Sequence, residues 1–234
     1  MQNKDKQDLL GIIRASFDTT FKEPSGMLKH PYLSPGGVYS DNLWDWDSYW
    51  TTYAMLGIAA KYKDKALREE IVPYARGIFF NFVEHQGEDG SLPILMTPKD
   101  DDWFDCKKSP GNNMAKPFFA QLALLLMNSG ILDENDMKEG IYNIRRFHVC
   151  YRRRFQHPGT GLVFWGSDLG IGVDDDPTAW GRPRNSCGSL FLNSFLYREY
   201  LVAEELAENI GRPDYAEEYR TLAKNLRESV RKYC

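Results

Sequence analysis

The sequence predicts an all-α fold. Apolar residues recur at helical spacing in about seven segments, Gly and Pro punctuate their ends, and no stretch alternates with period two beyond a short piece at 161–165. The first helix is expected over 8–17, from Leu9, Leu10, Ile12, Ile13 and Phe17. The second covers 47–60 through Tyr49, Tyr53, Leu56 and Ala60, and a similar pattern runs over 65–83. A mostly buried helix over 116–128 follows from Phe118, Phe119, Leu122, Leu125 and Leu126, with Gly130 as its stop. The segment 133–155 ends in Arg152, Arg153 and Arg154, which suit the negative pole of a helix C-terminus. The last two segments, 186–209 and 213–233, read as an antiparallel pair in which Gly211 closes one helix and Pro213 opens the next.

At 234 residues and 42% hydrophobic content, the chain is long enough to bury a core and reads as a single domain over 1–234. A net charge of -4, with both signs interspersed, leaves no basic stripe to follow a phosphate backbone, so nucleic acid is not expected as a partner. Cys106, Cys150, Cys187 and Cys234 have neither metal-like spacing nor a dense framework, and they read as free thiols. The polar N-terminus and the lack of a long apolar run predict no membrane segment and a cytoplasmic chain. No motif calls for a metal or a cofactor. His30, His85, His148 and His157 are far apart in sequence and lack a nucleophile motif, and His148 reads as a packing residue.

Three long loops, 21–46, 86–115 and 156–185, separate the helices, and loops of this length in a compact fold are usually functional. They are rich in Gly, Pro, Asp and Trp, a composition that suits sugars: flat rings pack on pyranose C–H faces while carboxylates and amides take the hydroxyls. The first loop ends in Trp44-Asp45-Trp46-Asp47. Its plain reading is a helix cap with core indoles; the crowding of aromatics behind Pro35-Gly36-Gly37 points instead to a binding surface. In the second loop Asn112, Asn113 and Lys116 precede Pro117, either capping the next helix or taking hydroxyls or a carboxylate of the ligand. Asp100, Asp101, Asp102 and Asp105 read as a solvated acidic run that does not fit a calcium loop. In the third loop, Asp174, Asp175 and Asp176 crowd between Trp165 and Trp180. Like charges and burial against indole raise a carboxyl pKa, which is what a general acid needs; the alternative is a solvated turn before Pro177. Arg182 and Arg184 either neutralise these acids or hold the substrate.

These residues together resemble the (α/α)6-barrel glycoside hydrolases of family 63 and the related family 37 trehalases. Trp44-Asp45-Trp46-Asp47-Ser48 resembles the Trp-x-Trp-Asp-Ser element that holds the sugar, and Gly172-Val173-Asp174-Asp175-Asp176-Pro177 resembles Gly-x-Asp-Asn-x-Pro, whose first Asp is the general acid. Asn113-Met114-Ala115-Lys116-Pro117 falls where the family has a polar loop leading into a buried helix. The likeness continues from Asn193 to Gly211. The trehalase pattern fits less well, because Val38 stands where trehalases have Arg after Pro-Gly-Gly, and the Arg ahead of their Pro-rich helix start is also missing.

What the resemblance implies is an inverting hydrolase of an α-glucoside or α-mannoside. Asp174 is the general acid, Trp46 and Asp47 hold the sugar, and Tyr39, Trp44, Asn113, Lys116, Trp180 and Arg182 join them as substrate-binding residues. The fold it implies is an (α/α)6 toroid of which about seven of twelve helices are present. Inverting enzymes need a base roughly 6.5–9.5 Å from the acid. No residue here matches the family's Glu base, so the expectation is a fragment, or a half completed by a second copy or by further sequence. A non-catalytic carbohydrate-binding protein and a helical-repeat interaction module are the competing expectations.

Overall fold

The computed structural model describes residues 3–37, 41–102, 105–173 and 177–234, and 58% of these described residues lie in eight helices. In chain order these are α1 (Asn3–Ala15), α2 (Phe17–Thr20), α3 (Asp45–Tyr62), α4 (Lys65–His85), α5 (Phe119–Asn128), α6 (Glu134–Phe155), α7 (Leu190–Asn209) and α8 (Pro213–Tyr233). Two antiparallel pairs of two-residue strands tie the loops: β1 (Phe21–Lys22) with β2 (Tyr32–Leu33), and β3 (Leu43–Trp44) with β4 (Leu95–Met96). The all-α class expected from the periodicity is observed.

Local chemistry explains most boundaries. Asp64 caps α4 by accepting from Leu67 N, and Asp133 and Asp136 form a reciprocal capping box at the start of α6. Gly211, at φ +69°, closes α7, and Pro213 opens α8. Three boundaries differ from expectation. The first segment breaks into α1 and α2 at Ser16, whose hydroxyl donates to Ile13 O at 2.7 Å and competes with the helical ladder. Helix α5 starts at Phe119 rather than 116, because Lys116 donates its backbone N–H to the Asp45 carboxylate and so stands outside the helix. Helix α7 starts at Leu190 rather than 186, because Trp165 N donates to Cys187 O and Asn185 N donates to Trp165 O. The piece at 161–165 is not a strand but contributes to two isolated bridges, Gln156 with Val163 and Trp165 with Cys187.

Helix α3 packs on α4 and α7 on α8, while α5, the most completely buried, touches α3, α4, α6 and α7. Phe79, Phe119 and Phe147 meet around it, with ring centroids 5.6 and 6.2 Å apart. Each such ring, when fully buried, stabilises the fold by roughly 1.5–3 kcal/mol. The acidic run of the second loop is not uniformly solvated: Asp100 and Asp101 are exposed, but Asp102 and Asp105 are buried. Asp105 accepts from Lys107 N at 2.8 Å, so it shapes a turn. Among the described residues no helix is long and apolar enough to cross a membrane.

Candidate functional site

The β3–β4 pair carries the first loop onto the second and delivers the chain directly into α3, with Asp45 N donating to Ile94 O. Asp45 therefore enters the interior at the first position of the helix, only 2% exposed. It does not cap its own helix. Its carboxylate reaches across to the second loop, accepting from Lys116 N at 2.7 Å and from Lys116 Nζ at 3.0 and 3.1 Å. Both side chains are about 2% exposed, so each charge depends on the other: removing one partner of such a pair costs about 3–5 kcal/mol.

Trp46, the next residue, is half-buried and meets Phe118 just before α5, and Phe191 and Phe195 in the first turns of α7, at 5.9–6.4 Å between centroids. The ammonium of Lys116 sits 5.3 Å from its ring centroid. The first turns of α3, α5 and α7 thus meet at one place. From Trp46 an aromatic surface continues along α3: Tyr49 touches Trp50, Tyr53 and Phe118, and Trp50 and Tyr53 are 45% and 56% exposed. Burial, with the neighbouring Tyr53, raises the Tyr49 phenol above its ordinary value.

The third loop reaches the same place. Gly172, at φ +90°, lies against both Lys116 and Trp46: a Cβ there would fall 2.5 Å from Lys116 Cε and 2.9 Å from Trp46 Cζ2. Behind it Asn113, 2% exposed, pins the loop with its whole amide. Its oxygen accepts from Gly166 N and Ser167 N, and its nitrogen donates to Ser167 O and Leu169 O.

Of the expected site residues, Trp46, Asp47 and Lys116 lie at or beside this junction, and Trp44 is the residue preceding α3. Two expectations change in detail. Lys116 is neutralised by Asp45, and the Asn113 amide is occupied within the chain, so both serve here to build the site's walls. Trp180 and Arg182 lie on an exposed turn, Trp180 at 76% exposure, whereas Trp165 is buried. Tyr39 and Asp174, with Asp175 and Asp176, lie outside the described residues. In sequence Phe118 reads as part of a buried helix and neither Phe191 nor Phe195 stands out; their common contact with Trp46 has no signature in linear spacing.

A second buried polar assembly lies deeper. Glu199 of α7, fully buried, accepts from Ala120 N and Gln121 N at the start of α5 and lies 3.3 Å from His148 Nε2, while His148 Nδ1 pairs with Tyr219 Oη at 3.0 Å. Burial pushes the Tyr219 phenol well up, so it stays protonated. His148 is a core residue, and its core role includes hydrogen bonding. Among the described residues no cluster of His, Cys, Asp or Glu suits a metal and no disulfide joins the four cysteines, with burial raising Cys106 to about 12.

Compared with known protein families, with curated proteins and with solved structures, the chain finds no match. Fold and site together define a helical protein in which three long loops gather at the first turns of α3, α5 and α7.

Proposed function

We propose that the chain forms the sugar-holding and proton-donating part of an inverting glycoside hydrolase of (α/α)6 toroid type, acting on an α-glucoside or α-mannoside. In this reading Trp46 offers its ring to the sugar, Asp47 takes hydroxyls, and Asp174 protonates the departing glycosidic oxygen. The catalytic base is left to a second copy or to further sequence. The supporting observation is the convergence of Trp46, Lys116 and Gly172, two positions ahead of Asp174, which draws the three loops singled out by composition to one place. The pairing of α3 with α4 and α7 with α8, with α5 between, is compatible with successive inner and outer helices.

A second reading, carbohydrate binding without turnover, draws on the exposed rings of Trp50 and Tyr53, continuous with Trp46 through Tyr49. Tryptophan fluorescence titration with glucose, mannose and their p-nitrophenyl α-glycosides, followed by assay for released nitrophenol, separates the readings. Hydrolysis that Asp174→Asn abolishes, with sugar binding retained, supports the enzyme. Binding without product supports the second reading, and no binding by any sugar removes both.

A further inference from the structure

At Gly172 the third loop lies against both the Trp46 ring and the Lys116 stem, with little room at its backbone for any side chain. Its φ of +90° is a conformation that side-chain-bearing residues rarely adopt, and the space a Cβ needs is already filled. The wall it meets is not free to retreat. Lys116 is held at its backbone N–H and its ammonium by the same buried Asp45 carboxylate, and Trp46 is backed by Phe118, Phe191 and Phe195. On its other side the loop is fastened by Asn113 at Gly166, Ser167 and Leu169. The segment between Gly166 and Gly172 is thus held at both ends.

We propose that the Asp45–Lys116 ion pair and Gly172 form a positioning clamp: the pair fixes the wall, and the missing side chain lets the third loop seat against it, setting the loop's distance from the Trp46 ring. Neither Asp45, Lys116 nor Gly172 need touch a ligand for this role. Only the kinetic part of the test rests on the glycosidase reading; the clamp itself is tested by exchange.

Hydrogen exchange of the full chain reads it directly, because amides of a loosened segment exchange faster while globally protected ones do not. Gly172→Ala is expected to raise exchange over 166–173 by about tenfold or more, with the protection of α5 and α6 unchanged. Gly181→Ala is the control: it has similar backbone strain, φ +67°, but open space at its Cβ. Should Gly172→Ala fail to fold, the double variant Asp45→Asn with Lys116→Met, which removes both charges at similar volume, carries the same expectation for 166–173. If hydrolysis of a p-nitrophenyl α-glycoside is present, Gly172→Ala lowers kcat by about 10²-fold with KM nearly constant, as expected when reacting groups are misplaced by about 1 Å. Unchanged exchange over 166–173, or an equal rise there in Gly181→Ala, overturns the clamp. Faster exchange specific to Gly172→Ala in a chain that binds no sugar upholds the clamp and removes the glycosidase reading.

Discussion

Two buried carboxylates hold the start of α5, one from α3 and one from α7, and their surroundings differ. Asp45, from α3, takes the N–H of Lys116 just before the helix and the ammonium of the same residue. Glu199, from α7, takes Ala120 N and Gln121 N inside its first turn, with His148 beside it. Both are essentially inaccessible, but only Glu199 satisfies donors that a helix start leaves open, while Asp45 takes a donor just ahead of the helix. What separates them is the next layer of contacts. Glu199 pairs with His148, whose ring packs against Tyr200 and Tyr219, whereas the Asp45–Lys116 pair backs onto Trp46, Gly172 and an aromatic surface that reaches solvent at Trp50 and Tyr53. Burial of a charge alone therefore does not single out a candidate site; the groups that the charge positions do.

The comparison can be broken most forcefully at the ion pair. Lys116→Met alone should destabilise the chain by about 3–5 kcal/mol in urea denaturation, because the Asp45 carboxylate is left buried without its counter-charge. Adding Asp45→Asn should recover much of that loss. A double variant no more stable than the single would mean that the pair is not coupled as the geometry indicates. At the other carboxylate, Glu199→Gln should cost about 1–3 kcal/mol, since an amide offers one oxygen to two backbone donors and turns its own N–H groups toward them. Exchange over 166–173 should not change in that variant. A loosened third loop in Glu199→Gln would erase the distinction between the two regions.

The smallest effect concerns the end of α6, where Asp89 of the second loop receives Arg153 and Arg154. Burial raises the Asp89 pKa, but hydrogen bonds from Ser91 and Arg154 outweigh it and hold the carboxyl well below the ordinary 3.8. A depressed folded value contributes stability that is present above the unfolded pKa and lost as pH falls through the folded one. Thermal melts should therefore show Asp89→Asn losing most relative to the parent at neutral pH, with the gap closing below about pH 4. A gap that stays constant into acid would show that Asp89 contributes no proton-linked stability.

Much of the architecture was legible because helix formation here is locally encoded. The 3.6-residue recurrence of apolar groups and the Gly211–Pro213 punctuation act within a few residues of where they are read, and the Asp64 and Asp133 caps that the structure adds are just as local. The three loops were equally legible as regions, from their Gly, Pro, Asp and Trp content. Individual roles inside them were not. Lys116 reads in sequence as a cap or as a ligand for hydroxyls or a carboxylate, and becomes half of an ion pair because Asp45, far away in sequence on α3, packs against it. Asn113 reads as a ligand or a cap and becomes a loop pin because Gly166 and Leu169 fold back onto it. Asp102 and Asp105 read as solvated and are buried.

The sequence by itself determined the helical class, the approximate positions of the helices and the three segments that carry the candidate chemistry, since periodicity, capping and turn preference are properties of neighbouring residues. Only the tertiary structure decided what Trp44-Asp45-Trp46-Asp47 does. It turned the first carboxylate inward to Lys116, set the Trp46 indole against Phe118, Phe191 and Phe195, and pressed Gly172 onto both, because pairing across long separations depends on how helices pack.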